Sequence, residues 1–121
     1  MKKHYVFTYG TLLRGERNHH LLNDLDFVCE AKVMGFEMFN LGTYPGIYDG
    51  NGTILGEIYY VNDETLKELD VLEEEGSLYI RRTVKAYSMD KEYDVFIYVY
   101  NQKELNPKYI GENIYSWKKR K

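Results

Sequence analysis

Two runs of alternating side chains, Leu78 to Met89 and Tyr93 to Tyr100, flank Asp90-Lys91-Glu92 and read as a β-hairpin. The rest of the chain must therefore be compatible with a sheet. His4 to Tyr9 is rich in aromatic and β-branched residues and reads as a strand. Phe27 to Phe39 reads as extended structure broken around Gly35, and Thr53 to Val61 as a further clear strand. Between these last two, "NLGTYPGIYDGNG" is punctuated by Gly and Pro and reads as a long turn region. A short helix is predicted over Glu16 to Leu22, and a longer one over Glu64 to Glu74, capped by Asn62 or Asp63. The tail from Asn101 carries Pro107, Gly111 and Trp117 with no strong period. Strands outnumber helices, and the helices are interspersed. This predicts an α+β fold, a small mixed β-barrel or half-barrel with a few flanking short helices. The 121 residues show no repeat or linker and suit one domain, 1–121, with one core.

Charge and cysteine usage narrow the function classes. The net charge is −3 with no basic stripe, which argues against a nucleic-acid partner, and the terminal "KKRK" reads as a solvated tail. There is no run of roughly 18 apolar residues and no signal-peptide core, so neither a membrane nor secretion is expected, and the cytoplasm is. Cys29 is the single cysteine; it reads as an inert buried thiol in a reducing compartment. Thirteen tyrosines in so short a chain suit strands and a half-wet, polar-lined pocket.

The segment "HYVFTYGTLLRGERNHHLL" runs from a strand directly into a loop carrying Gly10, Thr11 and Gly15. It is not a P-loop, since the Gly-Lys-Ser/Thr ending is missing, nor G-x-G-x-x-G, nor a nucleophile elbow. Thr11 would need an adjacent base to act as a nucleophile, and an internal threonine rarely plays that role. His19 and His20 are adjacent, hence about 100° apart on a helix, and do not share a face. Without H-E-x-x-H or a nearby cysteine they read as structural or surface residues, so no metal and no cofactor are expected.

"NDETLKELDVLEEEGSLYIRR" is more informative. On a helix, Leu66 and Leu69 define the apolar stripe. Glu73 follows Leu69 by four residues and Leu66 by seven, so it points with them toward the core, whereas Glu74 and Glu75 rotate into solvent. A carboxylate facing an apolar interior is costly unless paired or functional. Desolvation raises its pKa toward neutrality, which suits a general base that later acts as an acid. Two plain readings stand beside this one: a frayed last turn with all three glutamates in water, or an ion pair of Glu73 with Arg81 or Arg82. Tyr79 and Arg81, two apart on a strand, share a face that Glu73 would also line; from these residues alone, cross-strand packing for Tyr79 and a surface ion pair for Arg81 are the better reading.

Two separated segments resemble one family. "VFTYGTLLRGERNHHLL" is similar to the opening strand and signature loop of γ-glutamyl cyclotransferase-like proteins, closest to the γ-glutamylamine cyclotransferase branch. Its pattern, Val-Phe-x-Tyr-Gly-Thr-Leu-x-Arg-Gly-x-x-Asn-His, is met by Val6 to His19. "LDVLEEEGSLYIRRTV" resembles the second family motif, Leu-Asp-x-x-Glu, five residues, then Tyr-x-Arg, here Leu69-Asp70, Glu73, Tyr79 and Arg81. "TYPGI" and "GEIYYV" also look like family segments. The resemblance implies that Tyr9, Gly10, Thr11 and Leu12 cradle a small-molecule γ-glutamyl substrate. It implies Glu73 as the acid–base residue, with Tyr79 and Arg81 as further substrate-binding residues. The reaction implied is cyclisation of a γ-glutamyl amide to 5-oxoproline with release of an amine. A non-catalytic binding module on the same fold is the alternative. One departure from the pattern lies beside the site: many members carry glycine directly after the catalytic glutamate, where this chain has Glu74.

Overall fold

In the computed structural model, which describes residues 2–102 and 114–117, the sheet closes into a ring. The strands are β1 (Lys3–Thr8), β2 (Phe27–Asn40), β3 (Pro45–Asn62), β4 (Tyr79–Ser88), β5 (Lys91–Tyr100) and β6 (Ile114–Tyr115). Helix α1 spans Asp63–Leu72, and short 3-10 turns span His19–Leu21 and Asp24–Asp26. The order is β1-β5-β4-β2-β3-β6, and an added β1–β3 pairing closes the ring. The pairs β1–β3, β2–β3 and β4–β5 are long antiparallel ladders. By contrast, β1–β5 is parallel and registered at Val6–Phe96, and β2–β4 is registered at Lys32–Tyr87. The result is the expected α+β architecture, a mixed, uneven barrel-like sheet with one flanking α-helix among the described residues.

Period-two alternation divides the strand side chains between two apolar clusters. Phe7, Val33, Met38, Ile47, Ile58 and Ile97 belong to one. Val6, Tyr59, Val61 and Tyr98 belong to the other, which also receives Leu66 and Leu69 of α1. The helix is thereby fixed against β1, β3 and β5. Its start is set by Asn62, whose side chain accepts the Thr65 N–H at 2.9 Å.

Four local expectations change. Residues 45–52 of the supposed turn region are strand, paired with residues 36–40 of β2 from Phe36–Asp49 to Asn40–Pro45. Their glycines serve close packing rather than turning. A Cβ at Gly50 would stand 2.5 Å from Glu37, and one at Gly52 would run into the Tyr115 ring. The true turn is residues 41–44, closed by Leu41 N–H to Tyr44 O at 3.0 Å, with Gly42 at φ 113°. The helix predicted over Glu16 to Leu22 is reduced to the 3-10 turn His19–Leu21, because Asn18 and His19 bond back to the preceding loop instead. The hairpin turns one residue earlier than expected, at Met89-Asp90, with Ser88 opposite Lys91 and Met89 at φ 54°. The break at Gly35 is a bulge inside a continuous β2, with φ 96°. Of the tail, Trp117 is buried; Pro107, Gly111 and residues 118–121 lie outside the described residues.

Candidate active site

β1 ends at Thr8, and the chain leaves the sheet through a series of tight turns. Leu13 N–H donates to Gly10 O at 3.1 Å, Glu16 N–H to Leu13 O at 2.9 Å and Asn18 N–H to Thr11 O at 2.9 Å. Side chains at the end of the loop fasten its beginning. Asn18 Nδ2 donates to Thr11 Oγ1 at 2.9 Å; His19 Nδ1 lies 2.9 Å from Leu12 O and Nε2 lies 2.7 Å from Asp24 Oδ1. Both ring nitrogens thus face oxygen acceptors. Burial works against the imidazolium, but the Asp24 and Leu12 oxygens outweigh it and raise the His19 pKa. From the sheet side, Glu57 is 3% exposed and accepts the Arg14 N–H at 3.1 Å, with the Arg14 guanidinium 3.6 Å away.

So fastened, the loop leaves some donors unused. The amides of Gly10, Thr11 and Leu12 have no hydrogen-bond partner among the described residues. All three residues line a cavity of about 290 Å3. Unpaired N–H groups at a turn are suited to a carboxylate or a developing oxyanion.

The facing wall comes from the end of α1 and from β4 and β5, with Glu73, Glu74, Tyr79 and Tyr98 lining the same cavity. α1 ends at Leu72, yet the Glu73 N–H still donates to Leu69 O at 2.9 Å and its backbone stays right-handed, φ −86° and ψ −1°. Glu73 therefore keeps the helical register that carries Leu66 and Leu69, and it is half-buried, whereas Glu74 and Glu75 are exposed. Burial pushes the Glu73 carboxyl from its ordinary 4.5 up to about 7. No group among the described residues hydrogen-bonds that carboxylate. It is not ion-paired to Arg81 or Arg82, whose partners are Asp70 and Asp49.

Tyrosines surround it. Tyr9 Oη donates to Tyr98 O at 2.6 Å, and Tyr79 Oη donates to Pro45 O at 2.7 Å. Burial raises both hydroxyls first, and the Glu73 charge raises them further, so they stay neutral donors. Gly10 closes the circle: a Cβ there would meet the Pro45 ring at 2.7 Å and 2.9 Å, so its lack of a side chain lets the loop reach the residue that holds Tyr79.

Six of the seven residues singled out from sequence, Tyr9, Gly10, Thr11, Leu12, Glu73 and Tyr79, meet at this cavity. Arg81 does not line it; its Nη1 donates to Asp70 Oδ2 at 2.5 Å. Sequence reasoning assigned no role to Glu57, Asp70, Tyr98 or Asn18. Glu57 had one local signal, a lone charge inside the apolar strand "GEIYYV". Among the described residues no group of three or more His, Cys, Asp or Glu could hold a metal ion. None of the described helices is long and apolar enough to cross a membrane.

Residues 6–119 match the model of the family "Gamma-glutamyl cyclotransferase, AIG2-like". The chain belongs to that family. It is 34% identical over 81 residues to the γ-glutamylcyclotransferase family protein YtfP of Escherichia coli K12, covering 67% of this chain and 72% of that one. It is 37% identical over 70 residues to the γ-L-glutamyl-butirosin B γ-glutamyl cyclotransferase of Niallia circulans, covering 57% of this chain and 45% of that one. The crystal structure of an AIG2-like protein from Mus musculus superposes with a TM-score of 0.79 at 25% identity, over 87% of this chain and 82% of that one. Membership of a cyclotransferase family supports an enzyme of that type. The departure from the family pattern also has a place in the structure: Glu74 sits at φ 50°, the left-handed position just past the helix end where glycine is at no disadvantage.

Proposed function

We propose that the protein is a γ-glutamylamine cyclotransferase that converts a γ-glutamyl amide into 5-oxoproline and a free amine. One observation carries this reading: a half-buried carboxylate whose pKa is lifted to about 7 shares a cavity with the unpaired amides of Gly10, Thr11 and Leu12. At neutral pH the substrate's α-amine is an ammonium and cannot attack. Glu73 accepts one of its protons. The freed amine then attacks the substrate's own γ-carbonyl carbon, forming the ring C–N bond. The oxyanion that develops is met by loop N–H groups. As the original amide bond breaks, Glu73 returns its proton to the departing nitrogen, then takes the second proton from the ring nitrogen and passes it to the released amine, so the products are 5-oxoproline and an ammonium. Atoms and charge balance without an enzyme nucleophile. A carboxyl with a pKa near the working pH suits both halves of the exchange. The carbonyl carbon and the amine belong to one molecule, so the site's chief task is to hold the γ-glutamyl unit folded for ring closure.

The fold, family and cavity chemistry all support a γ-glutamyl unit. The relative from Niallia circulans takes its name from γ-L-glutamyl-butirosin B, which carries the same unit. The test is incubation of the purified protein with γ-glutamyl-lysine isopeptide, γ-glutamyl dipeptides and γ-glutamyl polyamine conjugates, with 5-oxoproline and free amine measured by chromatography. Turnover of any of them in equal amounts of both products supports the reaction. Saturable binding of a γ-glutamyl amide without any 5-oxoproline would make the protein a binding module instead.

A further inference from the structure

We propose that Arg81 is a positioning residue: paired with Asp70, it cancels the negative charge one helical turn before Glu73 and holds that pair against the Tyr98 hydroxyl in the cavity wall. Both oxygens of Asp70 are occupied. Oδ2 accepts from Arg81 Nη1 at 2.5 Å, and Oδ1 accepts from Tyr98 Oη at 2.7 Å. The pair is largely withdrawn from solvent, each side chain 27% exposed. Arg81 is held from two further directions. Its guanidinium lies 4.6 Å over the Phe96 ring, and its backbone N–H donates to Glu75 Oε2 at 3.1 Å. Of these residues only Tyr98 lines the cavity with Glu73.

Asp70 precedes Glu73 by three residues, a spacing that puts side chains side by side on a helix, about 5–6 Å apart at Cβ. Two such carboxylates, both partly desolvated, would oppose each other's ionisation. The other polar groups facing Glu73 are neutral or sit at the rim. Tyr9 just past β1, Tyr44 before β3, Tyr79 of β4 and Tyr98 of β5 present phenol hydroxyls; Arg17 of the loop and Glu74 are exposed. Asp70 is therefore the partly buried charge on Glu73's own helix, and Arg81 is the group that offsets it. This explains why an arginine two residues after Tyr79 serves the site without reaching the cavity. With Glu73 as the acid–base group of the proposed reaction, the pair sets where that group exchanges its proton.

The experiment follows the Glu73 carboxyl by carbon NMR across pH in the full-length, substrate-free protein. Removing the cation alone, Arg81→Gln, is expected to move the Glu73 midpoint upward by roughly one pH unit, the Coulomb effect of one uncompensated neighbour in a partly solvated site. Asp70→Asn is expected to move it downward. The double variant is expected to titrate like the wild type, and Arg81→Lys to restore most of the wild-type midpoint. Loosened packing would instead let water reach Glu73 in both single variants and lower both midpoints. An unchanged midpoint in Arg81→Gln, or a downward move in both singles, overturns the proposal. If Arg81→Gln does not fold, Asp70→Asn is read against Asp70→Glu: a fall confined to the asparagine variant supports the pairing, and identical titration in the asparagine variant and wild type overturns it. The titration involves no turnover, so failure to form 5-oxoproline would remove the reaction and leave this coupling intact.

Discussion

Gly10 and Pro45 are in such close approach that a single added Cβ at Gly10 would stand 2.7 Å from the proline ring. Neither partner can yield: one is backbone at the mouth of the cavity, the other a closed ring at the start of β3 whose carbonyl holds Tyr79. Gly10→Ala is therefore expected to destabilise the fold by about 1–3 kcal/mol, the usual range for overpacking. It should also reduce kcat/KM by at least tenfold, since the displaced loop carries the amides assigned to the substrate. Thermal melts and initial rates check both. A Gly10→Ala protein with unaltered melting and unaltered rates would remove this contact from the account of the loop.

Glu73→Gln keeps the shape of the side chain but cannot accept the proton. Turnover should fall by about 10²–10⁴-fold, the range for a lost acid–base group, while the fold is retained. Glu75→Gln, exposed and outside the cavity, should stay within a few-fold of wild type. The reverse pattern, an inactive Glu75→Gln beside an active Glu73→Gln, would contradict the assignment of the acid–base role.

The same carboxyl makes stability depend on pH in a direction opposite to an ordinary surface glutamate. Folding raises its pKa from 4.5 to about 7, so the folded protein binds the proton more tightly than the unfolded chain. Its stabilising contribution is complete below about 4.5 and is lost as the pH rises through about 7, a change on the order of 3 kcal/mol. Glu73→Gln should thus be more stable than wild type at pH 8, with the gap narrowing toward pH 4.5. Denaturant melts at several pH values test this; a gap independent of pH would show that Glu73 is not the desolvated group.

Glu74 holds a left-handed backbone at φ 50° with a side chain that disfavours it. Glu74→Gly should stabilise the protein by about 0.5–1 kcal/mol, the relief of left-handed strain less the extra entropy of an unfolded glycine. Glu74→Ala, which keeps the strain, should not. Equal stability of the two variants would assign the effect to the lost charge rather than to the backbone.

The face that Glu73 presents was legible because the relevant information is local. A helical period set by Leu66 and Leu69 extends as far as the hydrogen bonds do, and the Glu73 N–H still reaches Leu69 O. The β4–β5 hairpin was legible for the same reason, although its turn was placed one residue late: Met89 does not advertise a left-handed backbone as Gly or Asn would. Residues 45–52 were misread as a turn because glycine has two uses with one signature. Gly50 and Gly52 are there for Glu37 and Tyr115, neighbours supplied by other strands.

Alternation, helical period and spacing by themselves determined β1, β2, β4, β5, the second half of β3, helix α1, the α+β class and which of three glutamates turns inward. The tertiary structure alone decided which charges meet. Closing the ring lays Arg81 against Asp70 across ten intervening residues, and brings Arg14 to Glu57, Thr8 to Glu57 and Gly10 to Pro45 from still farther along the chain. Side-chain periodicity says which way a residue points. What it meets there depends on how distant segments pack, because burial and ion pairing act between neighbours in space wherever they lie in the chain.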